Sequence, residues 1–156
     1  MNQLLLLFAL AVAPGIAICV FVFFRDRFNP EPRRLLVRSF LLGVVSAAIA
    51  LLVQMLLLPV VRQNLGSGIL GLAVTAFAVV GLSEEWSKYI MVRGYAWPKP
   101  DFDEPFDGIV YTVMVGMGFA TIENVGYVMM NGIGTAFLRM FLSVQAHASF
   151  AVLMGY

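Results

Sequence analysis

The chain has 156 residues, 61% of them hydrophobic and only 12% charged, with a formal net charge of +1 and a mean hydropathy of +0.90. A soluble domain carries roughly 25% charged residues, so too little polar surface is present here to cover a globule in water, and the natural solvent is lipid. No basic patch with interleaved aromatics suggests nucleic acid, and the single Cys19 rules out an internal disulfide and any Cys/His zinc spacing.

Five apolar runs reach or approach the roughly 20 residues that a spanning helix needs. The first, Leu4 to Phe24, has no Lys or Arg before it and no evident cleavage site before Arg25. It reads as a retained helix with Pro14 as its point of kinking, not as a signal peptide. Ile18 before Cys19 is the wrong size for a lipoprotein signal. The second run is Phe40 to about Pro59, interrupted by Gln54, and the third is Ile69 to about Val92, with a polar knot near its end. The fourth, Ile109 to Met130, contains Glu123 and Asn124, and the fifth runs from Phe137 to Tyr156. The expected fold is all-α: a polytopic transmembrane bundle of about five spanning helices, forming one integral-membrane domain over 1–156 without linker or repeat. The fifth run is barely long enough to span, so the chain reads as a portion of a longer protein.

Orientation follows Lys and Arg. The first and third connections hold Arg25, Arg27, Arg33, Arg34, Arg38, Arg93 and Lys99, whereas the second and fourth, with their flanks, offer Arg62 and Arg139. Loop 25–38 is therefore expected in the cytoplasm and the N-terminus outside.

Glu84, Glu85, Lys88, Glu123 and His147 fall within apolar runs. An ionisable side chain at membrane depth costs roughly 2.5 to 3.5 kcal/mol on insertion scales, a cost that persists where the groups find one another, water or a function. In Glu84-Glu85-Trp86-Ser87-Lys88, the lysine lies four residues after one carboxylate and three after the other, within helical reach of both. The bland alternative is a helix end snorkelling to the interface. Gly116, Ala120, Glu123 and Tyr127 share a helical face whose small residues permit close packing, which would aim Glu123 at another helix, with Asn124 beside it. Here the alternative is polar glue between helices. Ser143, His147, Ala151 and Gly155 form a third such stripe; a lone core histidine is often just hydrogen-bonded to a neighbour. At about 1.5 Å per residue, Glu84 sits roughly 12 Å from its helix end and Glu123 roughly 21 Å from its helix start, a mismatch of roughly 9 Å that the sequence leaves open.

Glu84-Glu85-x-x-Lys88, then Phe119-x-x-x-Glu123-Asn124, then Ala146-His147-Ala148-Ser149-Phe150 resemble, in order, the motifs of the PrsW family of membrane proteases, relatives of the CAAX prenyl proteases and Abi proteins. Asp26 to Pro32 is similar to the family's first cytoplasmic loop, and Asp103-Glu104-Pro105-Phe106-Asp107-Gly108 to its acidic stretch before the Phe and Glu motif. The resemblance covers nearly the whole chain, although family members usually continue with further helices. It implies hydrolysis of a peptide bond in a membrane-anchored protein, at or within the bilayer of a prokaryotic cell (inner) membrane.

On this reading Glu84 is the expected general base, because its spacing to Lys88 favours an ion pair, with Glu85 as acid or structural partner. Asn124 and His147 would stabilise the oxyanion, Glu123 would orient His147 or water, and Lys88 and Asp107 would support the site. The cofactor stays open. Zinc wants about three protein ligands, usually with histidine, and Glu84, Glu123 and His147 are the candidates. One histidine and no His-Glu-x-x-His tilt the expectation toward water activated without zinc. The competing classes are a proton- or ion-coupled transport component and a non-catalytic scaffold. Substrate and oligomeric state are not readable.

Overall fold

A computed structural model describes residues 2–27 and 29–156. Phe28, part of the Asp26 to Pro32 motif, lies outside the described residues. Five helices are long and apolar enough to cross a membrane: α1 (Gln3–Arg25), α2 (Arg33–Leu65), α3 (Ile69–Ala96), α4 (Pro105–Asn131) and α5 (Ile133–Gly155). No strand occurs among the described residues. This is the bundle expected of a chain whose backbone must satisfy its own hydrogen bonds in lipid.

Several boundaries differ from the apolar runs, those of α2 the most. α2 starts seven residues before Phe40 and ends six after Pro59. Its 33 residues span about 50 Å, beyond the roughly 30 Å of hydrocarbon. Arg33, Arg34, Arg38 and Arg62 therefore belong to the helix and not to the connections. Hydropathy reports only the stretch matched to lipid, while arginine is itself a good helix former. α5 begins at Ile133, because Gly132 at φ 82 makes the turn alone; that left-handed conformation suits glycine. α1 continues through Pro14.

α4 is the central helix. Most of its span is buried, whereas the others turn much of theirs outward, with Phe21, Phe24, Leu56, Phe77 and Leu153 among the exposed apolar side chains. α1, α2 and α5 each pack along α4, and α3 packs chiefly on α2. Glycines set these crossings. A Cβ on Gly43 would strike the Val115 carbonyl, one on Gly118 the Phe40 carbonyl, and one on Gly108 the Gly155 carbonyl. A Cβ on Gly116 would come within 3.0 Å of the Ala151 Cβ, so the small-residue face read from the sequence does meet another helix. Between α1 and α2, an apolar crevice of about 390 Å³ is floored by Met114 and holds no carboxylate or imidazole.

Two irregularities position the polar side chains. α3 runs through widened π-type turns over Val74–Gly81, immediately before Leu82–Met91. Such turns shift the angular phase of everything after them and recur at functional sites. α5 is broken at Leu142 (φ −109, ψ −64) into Ile133–Phe141 and Ser143–Gly155.

Candidate active site

Glu84, Glu85 and Lys88 project from α3 just past its π-type turns, Glu123 and Asn124 from α4, and His147 from the second half of α5. The structure joins most of them in one chain of contacts. Lys88 Nζ donates to Glu85 Oε1 at 2.6 Å and lies 3.0 Å from His147 Nδ1. The other imidazole nitrogen, Nε2, is 3.0 Å from Glu123 Oε2. An ammonium can only donate, so Nδ1 accepts from Lys88, and Nε2 carries the proton given to Glu123. The ammonium also sits 4.2 Å above the Phe119 ring, whose centroid is 5.5 Å from that of His147. Lys88 is 2% and His147 8% exposed.

The axial gap inferred between Glu84 and Glu123 closes: both carboxylates line the same cavities, and His147 reaches Lys88, one turn past Glu84, through one ring nitrogen and Glu123 through the other. Glu84, Glu85, Glu123 and His147 all line one cavity of about 550 Å³, together with Phe77, Ser143 and Phe150. Glu84 and Glu123 also line a second cavity, of about 580 Å³, with Gln54 and Phe119.

Four expectations are corrected. Lys88 pairs with Glu85, at i,i+3, and not with Glu84. Glu84 Oε1 instead accepts from the Gln54 amide at 3.4 Å. Spacing allows either partner; the rotation of α3 and the position of His147 select Glu85. Asn124 is not a free oxyanion donor, being 1% exposed. Its Nδ2 donates to the Ala11 carbonyl at 3.3 Å, and its Oδ1 accepts from Arg139 Nε at 2.6 Å. Asp107 lies apart from the cluster, about 24 Å along α4 from Glu123. It is a helix cap, with Oδ2 accepting from the Asp103 and Glu104 amides at 2.9 and 2.7 Å. Finally, Arg139 is no flanking charge but a member of α5 that reaches Glu123 Oε2 through Nη2 at 2.6 Å.

Arg139 and Gln54 are the side chains in contact with the cluster that sequence reasoning misses. Each is visible as a polar residue in or beside an apolar run, the signal used for the others. Topology alone accounts for an arginine at position 139, and nothing in the sequence names a partner for Gln54.

Residues 31–156 match the family described as PrsW family intramembrane metalloprotease. Protease PrsW of Geobacillus kaustophilus is 37% identical over 96% of this chain, and that of Bacillus subtilis 37% identical over 93%. The Clostridioides difficile protein of the same name is 34% identical over 96%. This chain belongs to the PrsW family. It spans 64% of the length of the Geobacillus and Bacillus relatives and 63% of the Clostridioides one. No solved structure matches it.

The family description raises the question of a metal. In this PrsW-family chain Glu84, Glu85 and His147 each offer one ligand atom, all within 4.8 Å of one another. Glu85 Oε2 is buried without a hydrogen-bond partner, so its lone pairs are uncommitted. One nitrogen and two carboxylates suit a divalent ion in number, and the residues fit once Lys88 leaves His147 Nδ1, the ring nitrogen that accepts from the ammonium. The set differs from the Glu84, Glu123 and His147 expected, because Glu123 Oε2 already accepts from both Arg139 and His147.

Proposed function

We propose that this protein is a membrane-embedded peptidase that hydrolyses a peptide bond of a membrane-anchored protein substrate. The observation that carries the proposal is the convergence of three carboxylates and one imidazole on a single cavity in an otherwise apolar bundle, with the Lys88 ammonium buried against the imidazole. Charges at that depth are costly without a use.

Glu84 serves as general base, for a different reason from the spacing argument. Its carboxylate is not locked in an ion pair and it faces both cavities. It takes a proton from water as the water oxygen bonds to the scissile carbonyl carbon, then returns that proton to the amine as the C–N bond breaks. The Lys88 ammonium, held against His147 Nδ1, supplies the positive potential that favours the developing oxyanion. Glu85 holds Lys88, and Glu123 holds the imidazole. A divalent ion held by Glu84, Glu85 and His147 would lower the pKa of a bound water.

The test is cleavage of tethered membrane-anchored substrates by full-length protein in liposomes, comparing wild type, Glu84→Gln and Glu85→Gln, each with and without chelator. Both variants should lose at least about 100-fold in rate. Loss on chelation with recovery on adding zinc would support the metal-bound form, and indifference to chelator the metal-free one. Full activity in both variants would end the hydrolytic reading in favour of a scaffold. Ion flux abolished by the same substitutions would favour transport.

A further inference from the structure

We infer that Arg139 is a positioning residue of this centre, an inference that rests on the hydrolytic reading above. Its guanidinium grips two consecutive residues of α4, with Nη2 2.6 Å from Glu123 Oε2 and Nε 2.6 Å from Asn124 Oδ1. The group lies 4.3 Å above the Tyr127 ring, one turn further along α4. Three successive features of one helix thus set its plane. A lysine has one charged point and cannot reproduce that fork.

The oxygen that Arg139 holds is the one that His147 Nε2 meets at 3.0 Å. Positions 139 and 147 are eight residues apart, which in an unbroken α-helix separates them by about 12 Å. They converge on one atom across the break at Leu142. Arg139 therefore ties the first half of α5 to the carboxylate that orients the imidazole on its second half. Through Asn124 it ties both to the Ala11 carbonyl of α1.

The chemical consequence is control of the imidazole. With Glu123 Oε2 pinned, the acceptor for Nε2–H has a fixed position, and Nδ1 is left toward Lys88. Without the guanidinium the Glu123 carboxylate turns freely, so His147 loses the fixed acceptor that sets its tilt, and the Nε2–H tautomer rests on Lys88 alone. The residue touches no substrate; it acts through Glu123 and His147.

The experiment uses full-length protein in liposomes or nanodiscs and two readouts. In Arg139→Ala and Arg139→Lys, kcat should fall roughly 100-fold, the scale of a 1 Å misplacement, while KM stays within about threefold. Guanidinium ion added to Arg139→Ala should restore part of kcat, which mere loss of packing would not permit. In ¹⁵N-histidine spectra, with the His147 signal assigned by its absence in His147→Gln, the wild type should show one Nε2–H tautomer and Arg139→Ala a mixture. Should Arg139→Ala fail to fold, Arg139→Lys carries both readouts. Unchanged kcat, or a single unchanged tautomer despite lower stability, overturns the inference. If Glu84→Gln and Glu85→Gln remain active while the tautomer of Arg139→Ala changes as expected, the hydrolytic reading fails and the positioning role stands.

Discussion

At the scale of single residues, the acids outside the membrane are as informative as those within it. Glu31, in the loop between α1 and α2, is 4% exposed. It accepts from the Tyr111 hydroxyl, and its amide donates to Asp26 Oδ2 at 2.9 Å. Burial is the main force pushing its carboxyl from an ordinary 4.5 up to about 7; the Tyr111 hydrogen bond opposes this, and Asp107 and Asp26 add to it. The folded protein thus holds the Glu31 proton more tightly than the unfolded chain. The resulting stabilisation is complete below about pH 4.5 and is lost as pH rises through about 7. Melting midpoints in nanodiscs should fall across that window, and Glu31→Gln should reduce the fall. An unchanged fall in the variant would remove Glu31 as a cause. In the sequence, Asp26 to Pro32 and Asp103 to Gly108 stand as two unrelated motifs. Only the fold shows that both serve the N-terminal end of α4, which is why Asp107 resembles a site residue and is a cap.

At the scale of elements, hydropathy locates every helix but not where the helices touch. Gly116 and Ala120 are readable as a packing face because they share a period with Glu123. Gly43, Gly118 and Gly108 are not, since a glycine in an apolar run looks the same against lipid as against a neighbour. Their roles separate cleanly by substitution. Ala is favoured over Gly within a helix by about 1 kcal/mol, so Gly126→Ala, with nothing near its Cβ, should be neutral or stabilising. Gly118→Ala drives a Cβ into the Phe40 backbone and should destabilise by about 1–3 kcal/mol. Equal melting behaviour of the two variants would mean that the α2–α4 crossing does not depend on close approach. The same limit explains the missed pairing at Lys88. Local spacing leaves both Glu84 and Glu85 within reach of Lys88, and the π-type turns at Val74–Gly81 set a rotation that apolar composition does not encode.

For the whole molecule, the arginine distribution argues that loop 26–32 faces the cytoplasm and the α2–α3 turn the opposite side. In a Cys19→Ser background, Asn29→Cys should react with an impermeant maleimide only from the cytoplasmic side, and Gln63→Cys only from the other; both positions are exposed. Reversed labelling would invert the orientation. Composition by itself determined that the chain lives in lipid, that it crosses about five times, and that Glu84, Glu85, Lys88, Glu123 and His147 were the side chains to explain. The reason is that an apolar solvent makes helices compulsory and buried charge conspicuous. Only the tertiary structure decided which acid holds Lys88, that Asn124 is already committed, and that Arg139 joins Glu123. Partners on different helices are chosen by crossing, rotation and a break in α5, and these arise from contacts between segments far apart in the chain.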